Sequence, residues 1–245
     1  MSFLDKHHVL FEKQFGFRSK HSTDHAILSI VDKIQIAIEA RDYSYGIFLD
    51  FSKAFDTVNH KILLGKPEHY GIRGIANDWF KSYLTDRQQV VMVNNTISRK
   101  CNITHGIRQG SVLGPLLFLL YINDFHCCSE LFDFHLFADD ANFFYENKSL
   151  QILQNRINSE LINVHTWLSA NKLSLNMEKS NVIIFHPTQK RLQDFSFNLS
   201  LNNKQLKREY YIKNLGILID SHISWKPQVD FVVKKLEEAL LFYLN

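Results

Sequence analysis

The feature that most constrains this chain is a pair of adjacent carboxylates, Asp139-Asp140, set between two apolar runs. Phe134, Leu136 and Phe137 precede the pair, and Phe143 and Phe144 follow it, so the segment reads as two strands meeting at a tight turn. A third carboxylate, Asp50, closes another apolar run, Gly46-Ile47-Phe48-Leu49, which reads as a buried strand. Neighbouring carboxylates repel each other unless a cation neutralises them. Hard divalent ions such as Mg²⁺ take oxygen ligands, commonly one or two carboxylates plus substrate phosphates. If the strand ending at Asp50 lies beside the hairpin, Asp50 and Asp139 face a common point and can hold two metals for an in-line displacement at phosphorus. The alternative is a solvated turn, which an Asp-Asp pair also suits.

The rest of the chain supplies helices and further strands around these carboxylates. Ile27, Ile30, Val31, Ile34 and Ile38 recur at helical spacing after Ser22, a suitable N-cap, with Asp24 in the first turn. Residues 75–84 read as a helix, and Gln88 to Val93 as a strand turning at Asn94-Asn95 into Thr96 to Ile103. The loop Gly106 to Gly114 leads to Pro115, which fits the first turn of an apolar helix through Ile122. Leu150, Leu153, Ile157, Leu161, Val164 and Leu168 mark a long amphipathic helix. Val182 to Phe185 and Leu215 to Ile219 are short strands, and a helix follows Pro227. Strands and helices mixed without a regular βαβ alternation predict an α+β fold, with helices on one face of a sheet.

Composition narrows the function classes. With 45% hydrophobic and 22% charged residues, and Phe at 20, the 245-residue chain buries a sizeable, ring-rich core. A net charge of +3 permits binding to a nucleic-acid backbone without demanding it. Cys101, Cys127 and Cys128 make no disulfide framework and no Cys-x-x-Cys pair, which points to a reducing, intracellular setting and against structural zinc. The N-terminus lacks an apolar stretch resembling a signal peptide, and the longest apolar run, Leu116 to Ile122, is far below the ~20 residues of a membrane span, so no membrane association is expected.

These residues resemble a known family. Phe137-Ala138-Asp139-Asp140 is similar to polymerase motif C of the reverse transcriptases of non-LTR (LINE-type, jockey-like) retrotransposons, and Leu49-Asp50-Phe51-Ser52-Lys53-Ala54-Phe55-Asp56 to their motif A. Gln109-Gly110-Ser111-Val112-Leu113-Gly114-Pro115 resembles motif B, extended by Tyr121-Ile122-Asn123-Asp124. Lys172-Leu173-Ser174-Leu175-Asn176 with Lys179-Ser180 resembles motif D. Asn214-Leu215-Gly216-Ile217 to Asp220, followed by Trp225-Lys226-Pro227, resembles the primer-grip region. Gln14-Phe15-Gly16-Phe17-Arg18 is similar to the fingers segment upstream of motif A. The matches follow the family's order across nearly the whole chain.

The resemblance implies a polymerase palm, an antiparallel sheet with helices packed on one face, in a single domain over 1–245: partial fingers in 1–44, a palm-centred core in 45–225 and the start of a thumb in 226–245. It implies an RNA-directed DNA polymerase in which Asp50, Asp139 and Asp140 hold two Mg²⁺ (or Mn²⁺) ions, with an RNA template, a DNA primer and dNTPs as partners. Phe55 would stand beside the incoming sugar and select deoxynucleotides, though plain core packing also accounts for an aromatic there. Gln109 and Gly110 would line the nucleotide and template pocket, Lys179 would lie near the departing pyrophosphate, and Leu215 and Gly216 would place the primer. Family analogy puts the protein in the nucleus, with the cytoplasm the other intracellular option.

Two departures from the pattern carry expectations of their own. The fingers strands that normally precede Gln14 are missing and the thumb stops at Asn245, implying a piece truncated at both ends. On that basis the alternative function is a non-catalytic nucleic-acid-binding remnant; a two-metal phosphotransfer enzyme unrelated to polymerases fits Asp50 and Asp139 but not the ordered motifs. Gly65-Lys66-Pro67 interrupts a helical run after His60, and with interior Gly costing ~1 and Pro ~3 kcal/mol relative to Ala, a break or kink is expected there.

Overall fold

The structure, a computed structural model, describes residues 2–108, 110–190, 192 and 195–244. In chain order, α1 (Ser2–Lys6) and α2 (Thr23–Glu39) lead into β1 (Tyr43–Asp50). Next come α3 (Ala54–Thr57), α4 (His60–His69) and α5 (Ile75–Leu84), then four short strands, β2 (Gln88–Gln89), β3 (Met92–Val93), β4 (Thr96–Ile97) and β5 (Cys101–Asn102). Helix α6 (Gly114–Ile122) precedes the hairpin β6 (Asp133–Phe137) and β7 (Asp140–Asn147), and α7 (Leu150–Ala170) precedes β8 (Asn181–Phe185). The chain finishes with β9 (Ser200–Leu201), β10 (Lys204–Gln205), β11 (Lys207–Glu209), β12 (Tyr211–Asn214), β13 (Ile217–Asp220) and α8 (Lys226–Leu244).

The chain divides into two compact units. One comprises residues 1–12, 51–128 and 166–174. Its centre is α6, in which every residue from Leu117 to Ile122 is at most 1% exposed. An all-round apolar helix must be enclosed, and here α4 packs against it. Of the break or kink expected at Gly65-Lys66-Pro67, the break does not occur: α4 runs from His60 through Pro67 to His69. The proline does forfeit its N–H, but Pro67 and Leu63 are both buried. Lys66 also anchors the turn, donating to Tyr121 O (2.5 Å) and Asp124 Oδ1 (2.6 Å). Packing outweighs propensity at this site. The Asn94-Asn95 turn forms as expected, both residues at positive φ, as a type I′ hairpin turn requires.

The other unit comprises residues 13–50, 129–165 and 175–245 and holds a five-stranded sheet, ordered β11-β8-β1-β7-β6. The four strands β8, β1, β7 and β6 are antiparallel. Edge strand β11 joins β8 in parallel, making the sheet mixed, because the chain reaches it through a long connection and not a tight turn. Residues of β1 alternate between faces. On one face lie Gly46, Phe48 and Asp50, opposite Phe144, Asn142 and Asp140 of β7. Helix α2, capped by Ser22 accepting from His25 N (3.3 Å), covers the apolar end of this face. Its Ile27, Ile30, Val31 and Ile34 pack with Phe48, Phe144, Ile183 and Phe185. Gly46 is needed beneath: a Cβ there would meet Phe185, Phe144 and Phe48 ring atoms at 2.7–2.9 Å. The other end of the face carries the carboxylates.

Candidate active site

Antiparallel pairing of β1 with β7 sets Asp50 directly opposite Asp140. Partners opposite each other in such a ladder project from the same face, their Cβ atoms ~5 Å apart. The β6–β7 hairpin turns in two residues, Ala138 and Asp139, with Phe137 paired to Asp140. Ala138 takes φ +54°, a left-handed conformation that a hairpin turn demands and a non-glycine residue resists. All three carboxylates therefore stand at one end of one strand pair.

The backbone of Asp50 is fixed on both sides by the segment after α7. Ser180 Oγ accepts from Asp50 N (3.1 Å), and Asn176 N donates to Asp50 O (2.8 Å). Ser180 itself is fully buried and donates to Asn176 O (2.8 Å), which closes the clamp. Asp50 and Asp140 both line a cavity of about 460 Å³, together with Asn142, Lys179, Asn181 and Lys213.

The electrostatics are those of a site short of positive charge. Asp140 is pushed up to about 6, by burial first and then by the charges of Asp139 and Asp50. Burial raises Asp139 as well; its own peptide N–H pulls the other way, and Asp50 adds to the rise. An oxygen-only donor set under mutual repulsion fits a hard divalent cation. As the side chains stand, however, no group of three or more His, Cys, Asp or Glu among the described residues is gathered tightly enough to hold an ion. Asp50 and Asp140 converge; Asp139, engaged by its own N–H, does not line the cavity.

The remaining expected site residues divide between the units. Lys179 shares the cavity with Asp50 and Asp140. Leu215 and Gly216 do not line it. They form the β12–β13 turn, at φ +48° and +91°, so Leu215 belongs to a turn and not to the strand expected from Leu215 to Ile219. With both central φ values positive this is a type I′-like turn, and Gly216 supplies one of them without strain. Phe55, in the other unit, is half-buried and stacks on Phe118, ring centroids 4.4 Å apart. Gly110, also there, is exposed at φ +77° with open space where a Cβ would be. Gln109 lies outside the described residues. Residues that carried no signal in the sequence also line the cavity, among them Asn142, Asn181, Tyr211 and Lys213.

A central sheet with carboxylates at a hairpin turn, helices against it and an α+β order is the palm of a nucleic-acid polymerase, and solved structures agree. The fold is similar to apo telomerase of Candida tropicalis truncated from its C-terminal domain (TM-score 0.59, 16% identity, 91% of this chain and 43% of that one). It is similar also to telomerase of Candida albicans in complex with a telomeric RNA fragment (TM-score 0.55, 11% identity, 89% and 35%).

The chain belongs to the reverse transcriptase (RNA-dependent DNA polymerase) family, whose model matches residues 2–231. It is 27% identical to a probable RNA-directed DNA polymerase from transposon BS of Drosophila melanogaster, over 97% of this chain and 27% of that protein. It is 29% identical to the probable polymerase from the X-element of the same species (96% and 26%), and 28% to that of the mobile element jockey (88% and 24%). The chain thus spans about a quarter of the length of these relatives. Among the described residues no helix is long and apolar enough to cross a membrane.

Proposed function

We propose that the chain is the palm-centred core of an RNA-directed DNA polymerase, with 1–44 as partial fingers, 45–225 as the palm-centred core and 226–245 beginning the thumb. The observation that carries this reading is the register of Asp50 with Asp140 beside the Asp139 turn. Asp50, Asp139 and Asp140 would hold two Mg²⁺ (or Mn²⁺) ions. Such ions, when bound, activate a primer 3′-hydroxyl and neutralise the transferring phosphate.

The chain's own residues then have separable tasks. Asn176 and Ser180 fix the peptide of Asp50, and the hairpin fixes Asp139 and Asp140. Lys179, exposed at the rim of the cavity, would stabilise the charge of the departing pyrophosphate. The β12–β13 hairpin, with Leu215 and Gly216 at its tip and Lys213 facing the cavity, would place the primer end. Phe55 and Gly110, with Gln109, would select and seat the incoming dNTP against an RNA template. By family analogy the site of action would be the nucleus.

Primer extension on an RNA template with Mg²⁺ and dNTPs tests this. Incorporation that Asp139→Ala abolishes supports the enzyme. A second reading is a non-catalytic nucleic-acid-binding remnant; salt-sensitive RNA binding without incorporation would favour it.

A further inference from the structure

Upstream of α2, residues 13–16 run alongside β6 as a parallel edge segment. Phe15 N donates to Leu136 O (2.8 Å) and Leu136 N to Lys13 O (2.9 Å), with Gln14 bridged to Leu136. This brings the side chain of Gln14, 2% exposed, under the Ala138-Asp139 turn. Gln14 Oε1 accepts from two backbone donors, Ala138 N at 3.0 Å and Gly16 N at 2.9 Å. Because both neighbours are N–H groups, the oxygen and not the amide nitrogen must face them.

Three further details point to a built contact. Ala138 is 4% exposed, so its N–H has no recourse to water if Gln14 is lost. Gly16 permits the approach: a Cβ at that position would lie 2.3 Å from Ala138 N. Gln14 Nε2 is buried without a hydrogen-bond partner, a penalty the fold carries to keep the oxygen in place. Ala138 is the turn residue held at positive φ, and Asp139 and Asp140 follow it directly.

We infer that Gln14 is a positioning residue for the metal-binding turn: by holding the Ala138 and Gly16 amides it sets the angle at which Asp139 and Asp140 leave the hairpin. The inference rests on the reading of those carboxylates as metal ligands. It extends that reading to a residue 124 positions away in sequence that touches no substrate. Outer-shell groups that orient ligands commonly change metal affinity 10–100-fold when removed.

The test is a Mn²⁺ titration of the full chain, free ion read by electron paramagnetic resonance, with amide hydrogen exchange at Ala138 and a thermal melt on each variant. Gln14→Met removes the acceptor at similar length. Its expected result is Mn²⁺ affinity weaker by about tenfold and faster exchange at Ala138, with a cooperative melt retained. Gln14→Glu keeps an acceptor oxygen at the same reach and should match or exceed the parent affinity. Gln14→Asn, one methylene shorter, replaces the Met variant if that fails to melt cooperatively, and should behave like it. Unchanged affinity in Gln14→Met, or an equal loss in Gln14→Glu, overturns the inference while Asp140→Asn still abolishes binding. If Asp140→Asn leaves binding intact, or the parent chain binds no Mn²⁺, the metal-ligand reading itself falls and takes the inference with it.

Discussion

The two ends of one sheet face are built on opposite terms. At one end α2 lays Ile27, Ile30, Val31 and Ile34 over Phe48, Phe144, Ile183 and Phe185, and Gly46 gives up its side chain so that the rings fit. Two residues further along β1, the same face presents Asp50 against Asp140, with Asn142 and Asn181 around them. The first end is packed for stability. The second accumulates negative charge in a half-buried place, which destabilises the protein unless something positive arrives. A short distance along two strands thus separates the part that holds the fold from the part proposed to bind cations.

Substitutions at the two ends should have opposite signs. The largest effect belongs to the packed end: Ile34 is fully buried, and Ile34→Ala should cost about 3 kcal/mol, read by denaturant unfolding. A loss under about 1 kcal/mol would mean that α2 is not integral to the sheet. At the open end, Asp140→Asn should stabilise the metal-free chain. The carboxyl titrates near 6 in the fold and near 3.9 when unfolded, so the folded state binds more protons between those values. Stability therefore falls as pH rises through that window and is lowest above it. Asp140→Asn should gain about 1–2 kcal/mol at pH 7.5 and nothing at pH 4. A variant less stable than its parent at pH 7.5 would break the contrast.

Smaller effects sharpen it. Ser180→Ala strands the Asp50 amide and should cost about 1 kcal/mol while weakening divalent-ion binding, read by melting with and without Mn²⁺. Loss of stability with full metal binding would make Ser180 a packing residue only. Smallest in stability is Lys179→Ala, within about 0.5 kcal/mol, because the side chain is exposed. The same change should lower the salt dependence of binding to a primed RNA template by about one phosphate contact. An unaltered slope would remove Lys179 from the substrate path.

Much of this contrast was legible in the residues. Apolar runs flanking carboxylates announced β1, β6 and β7; the expectation that Asp50 faces Asp139 gives way to a register that sets Asp50 opposite Asp140, one residue past the turn. Helix α2 was legible from its isoleucine spacing and from Ser22. What escaped has physical reasons. Gln14 fell within the segment similar to the family's fingers, but its partner at Ala138 is distant in sequence, so no local pattern marks that contact. Tyr211 and Lys213 sit on a strand of four residues, too short for alternation to register. Leu215 reads as strand by propensity yet takes positive φ, since the turn and its packing against the core decide its conformation. Pro67 misled in the other direction: burial and the Lys66 anchor carried a helix through it.

The central claim, that Asp50 and Asp140 share a divalent cation, is most directly tested by anomalous diffraction from crystals grown with Mn²⁺ and a primed RNA template. The account predicts anomalous peaks between these two carboxylates, at about 2.2 Å from their oxygens, with Asp139 turned in to complete the set. Peaks elsewhere on the molecule, or Asp50 and Asp140 left without a shared ion at saturating Mn²⁺, would contradict it.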